Sequence, residues 1–338
     1  MNRSDVLLVI ALAILLVLVG LELNSQAKQD ERYAEFEARL DTLQTRVDSL
    51  RTQPSQPWIG YRIPDFFSFC GLVDLRSAAS KRRIKEELIF VLSNQGQMTV
   101  NLMRSGEYFP WIERILTESG ACRDLRYVVV VESSFRLKAF SSKEAAGPWQ
   151  FIKETATTRF GMRVDQYIDE RLDPELSTRS AIRYFDELME FFDDDILLAL
   201  TGYYAGEDNL LARMRRQKTD NYWKLDLPYW SSRYASQILA CKLAFENRER
   251  FGFSLPESEY YQPAEFREIT IRSREGFSLV DLARNSQLDY KEFKDLNPKF
   301  LVDRLPAGVY SVRIPLNNFE AFQQNLPEGI TIVLGDRI

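Results

Sequence analysis

The sequence predicts a mainly α-helical protein that carries a small α+β module near its C-terminal end. Three observations lead there. From about residue 70 to 252, apolar residues recur at helical spacing. After Pro256, short alternating runs bracket two brief helical patterns. Residues 1–52 read as an apolar run followed by a polar helix with an apolar thread. A chain of 338 residues is too long for one average domain and suggests two, plus non-globular parts. The expected division is a transmembrane anchor or signal segment at 1–26, a coiled-coil stalk at 27–52 and a linker at 53–68. A helical domain at 69–255, an α+β module at 266–316 and a tail at 317–338 follow.

Val6 to Leu21 is almost unbrokenly apolar, with Arg3 before it and Glu22 after it. With its flanks it approaches the ~18–20 residues that cross a bilayer. A retained anchor is favoured over a cleaved signal peptide, for which Ser25 and Ala27 offer small-x-small spacing. Arg3 and the amino terminus favour an inside N-terminus, which places the rest outside the cytoplasm. Tyr33, Phe36, Leu40, Leu43, Val47 and Leu50 then alternate spacings of three and four, the seam of a coiled coil or of a solitary stalk helix. Self-association through this stalk is an expectation. Pro54 and Pro57 end it.

In the helical region, Ile84, Leu88 and Val91 mark one helix, and Ile112, Ile115 and Leu116 a second. Asp173-Pro174 with Ser177 reads as a helix start before Ala181, Tyr184, Phe185 and Leu188. Segments 196–204 and 234–245 are further apolar helices. Val128 to Val131 alone reads as a strand, but among helices it is taken as a buried helix. In the module, Ile269 to Ile271 and Val309 to Ile314 are strands around helices at 277–283 and 290–296, in the order βααβ.

The chain has no histidine. This removes Ser-His-Asp and Cys-His catalysis and the usual histidine-ligated zinc sites. Acid–base chemistry must fall to carboxylates, Tyr, Lys, Cys or backbone groups. Cys70, Cys122 and Cys241 lie far apart without CxxC spacing, so they read as three small buried residues. In an oxidising compartment the odd count leaves at least one of them free or paired with another molecule. No cofactor or metal is expected. A net charge of −5 and the lack of a basic run with interleaved aromatics argue against a nucleic-acid partner.

Glu132 ends the run of four valines. Apolar surroundings disfavour its charged form and raise its pKa. A carboxyl that holds its proton near neutral pH suits cleavage of a glycosidic bond. Alone, such a glutamate is far more often a helix cap or an arginine partner. Its neighbours say more. Glu132-Ser133-Ser134-Phe135 is followed by Ala145-Ala146-Gly147-Pro148-Trp149-Gln150-Phe151 and by Asp169-Glu170-Arg171 with Asp173-Pro174. Gly202-Tyr203-Tyr204-Ala205-Gly206-Glu207 comes next, then Leu227-Pro228 with Tyr234 and Ile238-Leu239-Ala240. These ordered blocks, within residues 105–250, resemble the catalytic domain of the lytic transglycosylases of soluble-lytic-transglycosylase type, and most the D branch of the membrane-bound lytic murein transglycosylases.

The resemblance implies a goose-lysozyme-like helical domain with a long groove for peptidoglycan glycan strands. It implies that Glu132 is the sole catalytic carboxyl and that Ser133, Gly147, Gln150, Tyr203, Tyr204 and Tyr234 bind substrate. It implies cleavage between N-acetylmuramic acid and N-acetylglucosamine with 1,6-anhydro ends, in the periplasm of a bacterial cell envelope. The pattern departs from the family at Tyr204, usually Asn; at Pro148, usually Leu; at Glu144, usually Gly; and at Trp230, usually Glu. A glycan-binding scaffold with a degenerate site and a hydrolase of the same fold are therefore the alternatives. Glu275-Gly276-Phe277-Ser278-Leu279, Leu296-Asn297-Pro298 and Leu305-Pro306-Ala307-Gly308 resemble a LysM domain, which implies a second glycan-binding module.

Overall fold

The computed structural model describes residues 60–333, and before them residues 39, 41, 42 and 58. The apolar run at 6–21 and nearly all of the expected stalk lie outside the described residues. Among the described residues, no helix is long and apolar enough to cross a membrane.

A short antiparallel hairpin comes first, β1 (Phe66–Ser68) and β2 (Leu72–Asp74), paired from Phe66 to Asp74. Within the expected linker and domain start, this hairpin has too few residues for a period to show. Its turn carries Cys70, which forms a disulfide with Cys122. The expectation of three buried thiols is thus corrected: two are bonded, and only Cys241 remains a buried thiol. The pairing was invisible because the two cysteines stand 52 residues apart and are brought within 5.4 Å, Cα to Cα, only by the fold. Closing so long a loop stabilises by about 4 kcal/mol in the chain-entropy account.

Seven helices build the first layer: α1 (Ala78–Ser93), α2 (Gln95–Glu118), α3 (Arg126–Ser133), α4 (Pro174–Phe191), α5 (Ile196–Ala205), α6 (Glu207–Gln217) and α7 (Tyr229–Glu246). Their starts follow capping chemistry. Ser77 caps α1, Asp173 caps α4 through the N–H groups of Glu175 and Leu176, and Asp195 caps α5. Pro174 sits where its missing N–H costs nothing. The valine run is helical, as expected; Val128, Val129 and Val130 are all buried, and packing overrides their strand preference. Helix α7 is buried nearly all round and packs on α1, α3 and α5. It is the central post of this layer.

The module follows: β3 (Phe266–Ser273), β4 (Phe277–Ser278), α8 (Leu279–Asn285), α9 (Tyr290–Leu296), β5 (Arg304–Leu305), β6 (Gly308–Pro315), α10 (Phe319–Gln324) and β7 (Ile330–Val333). Strand β3 is central, with β6 and β7 antiparallel on its two sides. The stretch read as a tail supplies α10 and β7, and Phe319, Phe322 and Ile330 enter the module core. Ile168, from the segment before α4, belongs to that same core. The module is therefore docked onto the helical layer, and residues from Gly60 onward form one unit.

The docking is polar as well as apolar. Asp173 is fully buried and meets Lys299 Nζ at 2.9 Å and Arg313 Nη2 at 2.7 Å. The N–H of Asp169 donates to the Lys299 carbonyl at 2.9 Å, and the N–H of Leu301 to the Tyr167 carbonyl at 2.9 Å. Burial alone would raise the pKa of Asp173, but Lys299 and Arg313 outweigh it and hold the carboxyl below its usual range.

Candidate active site

Glu132 stands in the last turn of α3. The helix stops because Ser134 and Phe135 both take left-handed backbone, with φ of 52° and 62°. Neither is glycine, so this turn costs energy and must be held from outside. The Phe135 ring is buried, stacked on Tyr108 at 5.7 Å and edge-on to Phe109 at 5.3 Å. Arg104 donates to the Ser134 carbonyl at 2.8 Å. The aromatic packing and this bond fix the end of α3, and with it the direction of Glu132.

The carboxyl is partly buried, and the hydroxyl of Tyr234 on α7 donates to Glu132 Oε1. Burial pushes its pKa up to about 7, and the Tyr234 hydrogen bond pulls it down only in part. The negative end of the α3 dipole acts in the same direction as burial. Among the described residues, no lysine or arginine pairs with Glu132, and no second carboxyl contributes to its ionisation. Burial, then the charge of Glu132, raises the phenol pKa values of Tyr203 and Tyr234 well above normal. Both phenols therefore stay protonated and act as donors.

The loop from Ala139 to Phe151 lies against this carboxyl through Trp149 and Tyr203. The Tyr203 hydroxyl donates to the Trp149 carbonyl at 2.8 Å, and its ring stacks on Phe185 at 4.7 Å. Trp149 is fully buried, and its indole N–H donates to Thr178 on α4 at 2.8 Å. Gln150 Nε2 donates to the carbonyls of Gly147 (2.8 Å) and Ala139 (3.2 Å), which ties the loop to itself. Gly147 has φ of +83°, and a Cβ there would come within 1.8 Å of the Arg171 carbonyl. The close approach that needs glycine is thus to Arg171. Ser133 is buried, with its hydroxyl donating to the Val129 carbonyl at 3.2 Å. Tyr204 is 44% exposed and stacks on Tyr234 at 4.8 Å.

The structure so brings Tyr203, Tyr204 and Tyr234 around Glu132. Ser133, Gly147 and Gln150 instead contact backbone. Arg171 is the residue sequence reasoning misses. It is buried, paired with Asp169 at 2.7 Å, and donates to the carbonyls of Glu144 (2.8 Å), in the middle of the loop, and Phe151 (3.1 Å), at its end. An Asp-x-Arg step in a loop looks like a surface pair in sequence; nothing local announces its burial. Glu207, in the same block as Tyr203, is engaged by Arg159 at 2.5 Å and by the Tyr184 hydroxyl at 2.9 Å, which fits a structural anchor.

The chain is similar to several known proteins. Membrane-bound lytic murein transglycosylase D of Escherichia coli (strain K12) is 28% identical over 271 residues, which are 78% of this chain and 59% of that protein. A putative tributyltin chloride resistance protein of Alteromonas sp. (strain M-1) is 30% identical over 115 residues, 33% of this chain and 55% of that protein. The chain thus spans under two thirds of the length of these curated relatives. The crystal structure of the 70 kDa soluble lytic transglycosylase from Escherichia coli aligns with a TM-score of 0.38 at 14% identity, over 55% of this chain and 34% of that one. A family model described as "Transglycosylase SLT domain" matches residues 109–225, from the middle of α2 to the approach to α7. Over residues 109–225 this chain is thus similar to a transglycosylase SLT domain.

Proposed function

We propose that the chain is a peptidoglycan lytic transglycosylase in which Glu132 serves as both acid and base. The observation that carries this reading is a partly buried carboxyl, pushed by burial to a pKa of about 7, with no cation or second carboxyl acting on it among the described residues. At neutral pH a large share of Glu132 holds its proton. It gives that proton to the oxygen between N-acetylmuramic acid and N-acetylglucosamine as the bond to the anomeric carbon breaks. The resulting carboxylate then takes the proton of the sugar's own C6 hydroxyl as that oxygen bonds the anomeric carbon. The product is a 1,6-anhydro ring, no water is consumed, and Glu132 is protonated again. Most glycosidases need two carboxyls. Here the substrate supplies the nucleophile, which matches a site built around one.

Tyr234 holds the carboxyl in place, and Tyr203, close enough to feel the charge of Glu132, donates to the Trp149 carbonyl. A periplasmic location fits the Cys70–Cys122 disulfide, which persists in oxidising compartments. It also fits the relative named as membrane-bound; anchoring through the apolar run at 6–21 is part of the proposal. The LysM-like module is proposed to bind glycan, and its docking through Lys299, Phe300 and Arg313 gives it a structural duty as well.

Digestion of purified peptidoglycan, read by mass spectrometry, tests the proposal. Anhydro-muramic ends are expected, and Glu132→Gln should lower their release by about a thousandfold. Reducing ends would make the protein a hydrolase. Intact strands would make it a glycan-binding scaffold, and full activity of Glu132→Gln would remove Glu132 from its role.

A further inference from the structure

Beside the catalytic carboxyl lies a cleft of about 620 Å3, between α6 and the start of α7. Three cations line it, Lys143, Arg213 and Arg216, and no aspartate or glutamate does. That is unexpected in a chain of net charge −5. Among the described residues none of the three cations forms an ion pair. Three aromatic rings complete the lining, and all are exposed: Tyr204 at 44%, Tyr229 at 64% and Trp230 at 62%. Water-exposed aromatic surface gathered in one concavity marks a binding site more often than chance exposure does.

Packed rings wall the cleft and join it to the acid. Tyr229 and Trp230 meet edge to face at 5.0 Å. The Arg233 guanidinium lies over both rings, at 5.0 and 5.5 Å, and is itself tied to Glu87 at 2.5 Å. On the other side, Tyr204 stacks on Tyr234, the ring that donates to Glu132. A polymer with its scissile bond at Glu132 would therefore lay its next substituent along this wall. Uncharged sugars have no use for three unpaired cations. The peptide stem that branches from each muramic residue does, because it carries free side-chain and C-terminal carboxylates. Arginine recognises carboxylates through paired N–H donors, and its flat guanidinium suits a site walled by rings.

We propose that this cleft binds the carboxylates of the peptide stem next to the cleavage point, through Arg213, Arg216 and Lys143, so that the protein selects strands that still carry stems. The proposal rests on the glycan-cleaving reading above. Trp230, which stands where the family usually has a glutamate, then has a purpose: a carboxylate there would repel the stem.

Two arms test it. In the first, the full chain with Glu132→Gln is titrated calorimetrically with a disaccharide bearing a tetrapeptide stem and with the same disaccharide lacking it. The stem-bearing ligand should bind about tenfold tighter. Adding Arg213→Ala and Arg216→Ala should abolish that preference, while Arg213→Lys and Arg216→Lys should keep most of it. Equal affinity for the two ligands, or a preference that survives both alanines, would overturn the proposal. In the second arm, kcat/KM is measured on native sacculi and on amidase-stripped strands. The ratio between them should fall about tenfold in the double alanine variant, and an unchanged ratio would count against the cleft. Absence of any anhydro product from the unsubstituted protein would sink the glycan-cleaving reading, and the binding arm would still decide the cleft.

Discussion

Glu132, in the last turn of α3, and Asp173, at the first turn of α4, are both carboxyls that folding takes out of water. Glu132 has one phenol as a partner, while Asp173 has an ammonium, a guanidinium and two backbone N–H groups. The first is pushed up to about 7, and the second is held below its usual range. Burial acts on both in the same direction, so the difference lies in what the fold aims at each oxygen. The unpaired carboxyl is poised to exchange a proton. The paired one is fixed as an anion and clamps the module to the segment that runs, through Asp169 and Arg171, under the loop bordering the site.

The comparison breaks most violently at Asp173. Asp173→Ala leaves Lys299 and Arg313 buried without a counter-charge and removes the α4 cap, which should cost about 3–5 kcal/mol in chemical denaturation. Replacing Asp173, Lys299 and Arg313 together by apolar residues of similar size should cost less than Asp173→Ala alone. A small loss from the single substitution would show that the clamp carries little.

The two sites should also fail at opposite ends of the pH scale. Glu132 has a folded pKa above its unfolded value, so its contribution is complete in acid and is lost as pH rises through about 7. Glu132→Gln should therefore be the more stable protein above that pH, by about 1–3 kcal/mol, and the gain should vanish below pH ~5. Asp173, with a depressed pKa, contributes above its unfolded value and loses that contribution as pH falls through its folded one. Thermal unfolding of both proteins from pH 4 to 9 would show the crossing; a pH-independent difference would contradict it.

The smallest effect belongs to Tyr234→Phe. It removes the one hydrogen bond that lowers the pKa of Glu132, so the basic limb of the pH–rate profile should move upward. Turnover should fall about tenfold as the carboxyl loses its fixed direction. An unmoved limb would mean that Tyr234 does not act on Glu132.

The helical layer was largely legible in the sequence. Helices α1, α4, α5 and α7 contain the segments marked by their periodic apolar residues, and Asp173-Pro174 gave away the start of α4. Glu132 could be singled out because its apolar run and ordered neighbours are local. What escaped depends on contacts distant in sequence. The Cys70–Cys122 pairing, the burial of Arg171, and the reach of Lys299 and Arg313 to Asp173 across 126 and 140 residues leave no local signature. Strand β7 escaped because four residues beyond a short helix show no period until β3 is there to receive them. Gly147 was noticed, but the Arg171 carbonyl that demands it was not foreseeable.

The central claim is that Glu132 carries its proton near neutral pH because burial raises its pKa and, among the described residues, no cation offsets that rise. Carbon-13 NMR titration of the glutamate side-chain carboxyls, with the Glu132 signal assigned by its loss in Glu132→Gln, measures this directly. A midpoint near 7 is the expected result. A midpoint in the ordinary range of about 4–5 would contradict the account, since Glu132 would then be an anion at neutral pH with no proton to give.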